Sequence, residues 1–122
     1  MIVTNDGAGV RVEGSFARIE AAQSRSSTVL QSVGGGPHRV QFEADPGVRG
    51  YYRVLLWWPQ ASGAAEVVVH GLTGSQRVPV EPGLRTGQWL AAGVFALPAS
   101  KAQIEVTAAP GAVLVVDALR LQ

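Results

Sequence analysis

The apolar run at positions 50–59, Gly-Tyr-Tyr-Arg-Val-Leu-Leu-Trp-Trp-Pro, constrains the fold of this chain more than any other feature. Its aromatic and aliphatic residues, the Pro46-Gly47 turn before it and the proline that ends it are typical of a β-strand. Strand side chains alternate between two faces. One face carries Tyr52, Val54, Leu56 and Trp58, and the other carries Tyr51, Arg53, Leu55 and Trp57. Burying one tryptophan contributes about 4 to 6 kcal/mol, so adjacent tryptophans that point in opposite directions indicate a core on one side and a partner or ligand on the other.

Short extended segments and turns fill the rest of the chain. The 15 glycines and 7 prolines favour short strands over long helices. A thin helical stripe runs through residues 16–25, but strand and loop fit that segment better. Residues 88–97 form the second long strand, and simple alternation predicts that one side of it carries Trp89, Ala91, Gly93, Phe95 and Leu97.

Eight or nine short strands at regular spacing, without helical alternation, predict an all-β fold. We expect an antiparallel β-sandwich, jelly-roll-like as in galactose-binding folds, formed by residues 1–122 as a single module. An immunoglobulin-like strand order would give the same spacing, so the pattern leaves the strand pairing open.

Composition excludes several classes of partner. The chain has no cysteine, so it has no disulfide framework and no thiol chemistry. A net charge of +1 with scattered arginines gives no basic surface for nucleic acid or an anionic membrane. No apolar run approaches the roughly 20 residues of a membrane span, and residues 1–22 contain no apolar signal-peptide core.

The sequence also lacks the patterns of a catalytic, cofactor or metal site. The nine carboxylates are spread over separate turns and strands, no serine lies in a nucleophile elbow, and the glycine run at 34–36 lacks the Lys-Ser/Thr of a phosphate loop. We expect no enzyme activity and no cofactor. With only His38 and His70, a zinc site is not expected. Asn5-Asp6 would be the place for a calcium ion, although an Asn-Asp-Gly turn forms without one.

Several motifs occur in an order that resembles one bacterial domain family. They are the Asn5-Asp6-Gly7 turn followed by Gly14-Ser15-Phe16, the strand ending in Trp57-Trp58-Pro59, Val78-Pro79-Val80-Glu81, Gly87-Gln88-Trp89, and Val115-Val116-Asp117-Ala118-Leu119-Arg120. Together they resemble the golvesin C-terminal-like, or xanthan-lyase-associated carbohydrate-binding-like, domain of bacterial surface and secreted proteins. The resemblance implies a non-catalytic module that binds a polysaccharide or cell-surface glycan, located outside the cell or at its surface.

Two tryptophans and three polar residues are the candidate ligand-binding set. Trp57 and Trp89 offer flat apolar surfaces to a sugar ring or a protein, unless both are core residues. The polar candidates are Arg53, Arg85 and Gln88, which would donate hydrogen bonds to hydroxyl groups.

Two further polar residues are expected to have structural roles. Asp117 interrupts an apolar run, where a carboxylate is costly unless it is hydrogen-bonded or paired, although a buried ligand-binding carboxylate is the alternative. His70, at a strand end, is expected to be a hydrogen-bonded structural residue.

A second interpretation starts from the number of apolar positions, which exceeds what one sandwich interior needs. The surplus positions are Leu55, Trp57, Leu114, Val116 and residues 67–69. If they are exposed, they predict a structural or adaptor protein that forms a homo-oligomer or docks in a larger assembly through an apolar sheet face.

Overall fold

Twelve β-strands form the regular structure, with no helix among the residues described. The computed structural model describes residues 1–4, 9–20, 28–34, 37–58, 63–81, 87–109 and 111–122. The strands are β1 (Ile2–Thr4), β2 (Val10–Glu13), β3 (Phe16–Glu20), β4 (Thr28–Ser32), β5 (Arg39–Ala44), β6 (Gly50–Trp58), β7 (Ala65–Gly71), β8 (Gly74–Val80), β9 (Gln88–Leu97), β10 (Ala102–Ala108), β11 (Val115–Val116) and β12 (Ala118–Leu121). β3 confirms the strand, and not the helical stripe, at residues 16–20.

Two of the strands in excess of eight or nine arise where the chain passes between sheets at short interruptions. Gly14, with a φ of 93°, separates β2 from β3, and a Cβ there would lie 2.5 Å from the carbonyl oxygen of Pro37. β2 pairs with β5, whereas β3 pairs with β4. Asp117 separates β11, which pairs with β4, from β12, which pairs with β6. The apolar run at 112–121 therefore contributes to two sheets.

Two large antiparallel sheets enclose the core. The four-stranded sheet has the order β1-β12-β6-β9 and the five-stranded sheet the order β2-β5-β10-β7-β8, while β11-β4-β3 form a smaller third sheet. The inward-facing buried side chains of both large sheets belong to one cluster, whose largest members are Trp58, Phe42, Leu56, Leu97, Ile104, Leu114 and Leu119. The predicted antiparallel β-sandwich is confirmed, and the core face of β6 is the one that carries Val54, Leu56 and Trp58.

The predicted alternation along β9 is wrong beyond Ala91. Leu55 of β6 pairs with Ala91, but the preceding Val54 pairs with Gly93, so β9 contains one extra residue at this point. Gly93 has a φ of 145°, a conformation that glycine adopts without steric cost. This β-bulge turns Phe95 and Leu97 into the core, whereas Trp89 faces outwards.

The described part of the chain has no helix with the length and apolarity that crossing a membrane requires.

Candidate functional site

The outer face of the four-stranded sheet carries a pair of tryptophans. Trp57 of β6 and Trp89 of β9 are direct cross-strand partners, and both are partly buried. Their ring centroids lie 5.3 Å apart with an interplanar angle of 63°, an edge-to-face contact. Trp58 follows Trp57 in the chain and is 1% exposed in the core. The two neighbouring tryptophans therefore do point in opposite directions, and the alternative that both Trp57 and Trp89 belong to the sandwich core is wrong.

An arginine completes this arrangement from the other side of β6. Arg120 of β12 has its guanidinium carbon 5.9 Å from the centre of the Trp89 ring. β6 lies between β12 and β9, so the Arg120 side chain reaches Trp89 across that strand. Leu55, the residue directly opposite Arg120 on β6, is only 8% exposed although it lies on the outward face. We call Leu55, Trp57, Trp89 and Arg120 the tryptophan cluster.

The same face extends from the cluster towards the start of β6. Arg53 is exposed and pairs with Val94 of β9, which is 60% exposed. Tyr51, two residues earlier, is 81% exposed. Because Arg53 lies two residues from Leu55, it is a diagonal neighbour of Arg120, at about 7 to 8 Å between backbones. Arg53 therefore lies beside the tryptophan cluster.

The remaining two candidate ligand residues are not part of this face. Gln88 begins β9 and is exposed, but it pairs with Trp58 and so lies on the opposite face of the sheet from Trp89. Arg85 lies outside the described residues. The structure thus brings together three of the five candidates, namely Trp57, Trp89 and Arg53.

Two residues of this face were not among the candidates from sequence. Tyr51 lies on β6, the strand of Trp57, and Arg120 lies on β12, which pairs with β6. Both residues occupy outward positions. The alternation of β6 already placed Tyr51 on the face of Trp57, so this signal was available. Arg120 depended on knowing that β12 pairs with β6, which the spacing of strands does not reveal.

The outer face of the five-stranded sheet is different in character, because several of its charged side chains pair with one another. Glu105 lies 3.6 Å from Arg39 and 3.6 Å from His70, Arg39 also pairs with Glu13, and Arg77 pairs with Glu66 at 2.7 Å. The Nδ1 atom of His70 forms a hydrogen bond with the Ser75 hydroxyl at 2.7 Å. His70 thus has hydrogen-bonding and charged neighbours within the fold.

Asp117 lies at the crossover between β11 and β12 and is completely buried. It takes part in polar interactions, and every buried side-chain nitrogen or oxygen in the described ranges has a hydrogen-bond partner. The other buried polar residues are Ser32, whose hydroxyl accepts from the Leu114 amide at 2.9 Å, and His38, whose Nε2 lies 3.0 Å from the Val33 carbonyl oxygen.

The described ranges contain no group of three or more histidine, aspartate or glutamate side chains arranged to hold a metal ion. Asn5 and Asp6, the residues considered for calcium, lie outside those ranges. The chemistry that the outer face of the four-stranded sheet offers is non-covalent: indole surface, guanidinium donors and exposed tyrosine.

Comparison with known protein families shows to which family the chain belongs. Residues 1–122 match the family of the Golvesin C-terminal domain, over the whole length of the sequence. The chain belongs to this family. The resemblance found from the motifs is therefore confirmed. No curated protein matches this Golvesin C-terminal domain.

Solved structures share the fold of this Golvesin C-terminal domain. A xanthan lyase from Paenibacillus is 24% identical with a TM-score of 0.88, over 98% of this chain and 12% of the lyase. A family 35 carbohydrate-binding module from Clostridium thermocellum is 14% identical with a TM-score of 0.69, over 99% of this chain and 97% of the module. A Podospora anserina β-(1,4)-mannanase with a family 35 module is 16% identical with a TM-score of 0.63, over 99% of this chain and 27% of that protein. The chain thus has the fold of carbohydrate-binding modules and spans about an eighth of the xanthan lyase.

Proposed function

We propose that this Golvesin C-terminal domain is a non-catalytic carbohydrate-binding module, a single β-sandwich that contacts a polysaccharide or cell-surface glycan through the tryptophan cluster. The observation that carries the proposal is the edge-to-face pair of Trp57 and Trp89 outside the sandwich core, with Arg120 against one of the rings. A sandwich interior already filled by Trp58 and its neighbours does not require a second aromatic group on the outward face.

The chemistry of the cluster fits a sugar ring. An indole offers a rigid apolar surface to the C–H groups of the ring, and it loses little conformational entropy on binding. Arg53, exposed beside the cluster, has guanidinium N–H groups that donate to hydroxyl oxygens. The contact between the two indoles and the cover provided by Arg120 hold the rings in place before a ligand arrives.

The fold supports the same function, because solved structures with this fold are associated with polysaccharides. They include a family 35 carbohydrate-binding module, a xanthan lyase and a mannanase. In the xanthan lyase the matching part is 12% of the chain, which agrees with a module attached to a larger protein. A polysaccharide ligand is met outside the cell, so we place the domain in a secreted or surface protein.

Affinity electrophoresis tests this function. The purified chain is run through native gels containing soluble galactan, mannan, xylan or polygalacturonate, and we expect at least one polymer to retard it. Trp57→Ala and Trp89→Ala should each weaken the retardation about tenfold, because each removes an aromatic contact worth about 1.5 kcal/mol. Val12→Ala is the control: it removes an exposed apolar side chain from β2, in the five-stranded sheet, and should change binding less than twofold. Retardation of the wild type by none of the polymers would refute the proposal.

Self-association through the same face is the second candidate function. Most of the surplus apolar positions do not support it, since Leu114, Val116, Val67 and Val69 are in the core. The observation in its favour is the exposure of Tyr51, Val94 and Ile2 on the outer face of the four-stranded sheet. Light scattering on the wild type and on Val94→Asp separates the two functions. A defined oligomer that the substitution converts to monomer would favour assembly, whereas a monomer in both cases favours the binding module.

A further inference from the structure

Charged side chains are divided unequally between the two outer faces of the sandwich. The five-stranded sheet presents the acidic residues Glu13, Glu43, Glu66 and Glu105 together with the arginines Arg11, Arg39 and Arg77. On the four-stranded sheet, the pairing registers place Arg53 and Arg120 outwards and no aspartate or glutamate among the described residues. The face that carries the tryptophan cluster is therefore purely cationic in its described side chains.

The two arginines of this face have no carboxylate partner in the described part of the chain. The ion pairs of Arg39 and Arg77, and the contact of His70 with Glu105, all belong to the opposite sheet. The contact that the Arg120 guanidinium makes is with the face of the Trp89 ring, which leaves its in-plane N–H groups available to an acceptor. Arg53 is exposed, and its neighbour on β9 is the aliphatic Val94.

The positions of the two arginines on neighbouring strands put both within reach of one polysaccharide chain. Arg120 lies directly opposite Leu55, and Arg53 is the next outward residue on the same strand as Leu55. Two like charges on diagonal positions of a sheet repel each other mildly, and an anion placed between or beside them removes this repulsion. Guanidinium groups bind carboxylates through two parallel hydrogen bonds, a geometry that a hydroxyl group does not offer.

We infer that the preferred ligand of this face is an acidic polysaccharide, whose carboxylate binds Arg53 and Arg120 while its sugar ring contacts Trp57 or Trp89. The inference rests on the proposed carbohydrate-binding function and adds the class of sugar. A neutral glycan uses the indoles and offers the guanidinium groups only uncharged hydroxyl acceptors. An acidic glycan adds charge-assisted hydrogen bonds to both arginines.

The test compares each acidic polymer with its own neutral derivative. The chain is run in native gels containing polygalacturonate or alginate, and in gels containing the same polymers after chemical reduction of the carboxyl groups to primary alcohols. Neutral galactan and mannan complete the set. We expect binding to at least one acidic polymer to be about tenfold or more tighter than to its reduced form, which is the range for two charge-assisted hydrogen bonds at a partly exposed site.

Three arginine variants distinguish a specific site from general charge attraction. Arg53→Gln should weaken binding to the acidic polymer about threefold and Arg120→Gln about fivefold to tenfold, since Arg120 is the less exposed of the two. Neither variant should weaken binding to a reduced polymer more than twofold. Arg11→Gln makes the same change in charge on the opposite sheet and should leave all binding unchanged.

Each other outcome has a definite meaning. Equal binding to an acidic polymer and its reduced form, or binding to galactan or mannan alone, would overturn this inference and leave the carbohydrate-binding function standing. An effect of Arg11→Gln as large as that of Arg120→Gln would show attraction by net charge and would also overturn it. Retardation by no polymer in the set would overturn both the inference and the function on which it rests.

Discussion

The two outer faces of the sandwich each hide a large aliphatic side chain, but they cover it differently. Leu55 on the four-stranded sheet is 8% exposed and lies among two indoles and a guanidinium group. Val68 on the five-stranded sheet is 4% exposed and lies between Glu105 and Arg77, its direct cross-strand partners. The first face is held by apolar and aromatic contacts, and the second by ion pairs that involve most of its charges. The second face therefore has fewer free charges and, among the described residues, no tryptophan or tyrosine near Val68, whereas the first keeps aromatic surface and cations for a ligand.

The largest expected difference between the faces is in the contribution of a single large side chain to stability. Trp89→Ala should lower the free energy of unfolding by about 3 kcal/mol, because it removes the edge-to-face contact with Trp57, the stacking of Arg120 and part of the cover of Leu55. Arg77→Ala, on the other face, should lower it by less than about 0.5 kcal/mol, since the side chains of its ion pair with Glu66 are 71% and 42% exposed. Urea unfolding followed by circular dichroism measures both. Equal effects would contradict the comparison.

Removing the hidden aliphatic residues should give the next largest effect. Leu55→Ala should cost about 2 to 3 kcal/mol, because a leucine side chain is lost under a cover of rings that collapses only in part. Val68→Ala should cost about 1 to 2 kcal/mol, since fewer methyl groups are removed and the flexible Glu105 and Arg77 side chains can close over the gap.

A double variant sharpens this result. Leu55→Ala combined with Trp89→Ala should cost clearly less than the sum of the two single changes, because the residues share one cluster. Val68→Ala combined with Trp89→Ala should be additive, because these residues lie on different sheets. Additivity in both pairs would show that Leu55 is buried by something other than the cluster.

The difference between the two faces was only partly predictable from the sequence. The period of two along residues 50–58 was sufficient to separate Trp57 from Trp58, because side chains alternate along the whole of β6. The same rule failed on β9. One inserted residue at Gly93 reverses every position after it, and a glycine in a strand signals such a bulge without fixing where it falls.

The composition of the cluster was harder to predict than its location. Trp57 and Trp89 were chosen because tryptophan is large and uncommon, and this reason does not depend on pairing. Arg120 could be assigned to the cluster only once β12 was known to pair with β6, because Arg120 and Leu55 are more than 60 residues apart in the chain. Gln88 was chosen as a hydrogen-bond donor to hydroxyl groups, yet it directly precedes Trp89 in the strand and therefore points to the opposite face.

The smallest expected effect concerns the response of the ion-pair face to salt. The Glu105 side chain is 15% exposed and lies between Arg39 and His70, so Glu105→Gln should lower stability by up to about 1 kcal/mol in dilute buffer. Screening shortens the range of these interactions to about 3 Å at 1 M salt, so the loss should shrink in 1 M sodium chloride. Trp89→Ala should cost the same in both conditions or slightly more at high salt, because its main contacts are not ionic. If Glu105→Gln has no cost in either condition, Glu105 acts by covering Val68 and not by its charge, because glutamine gives the same cover, and the two outer faces would then be stabilised by the same kind of contact.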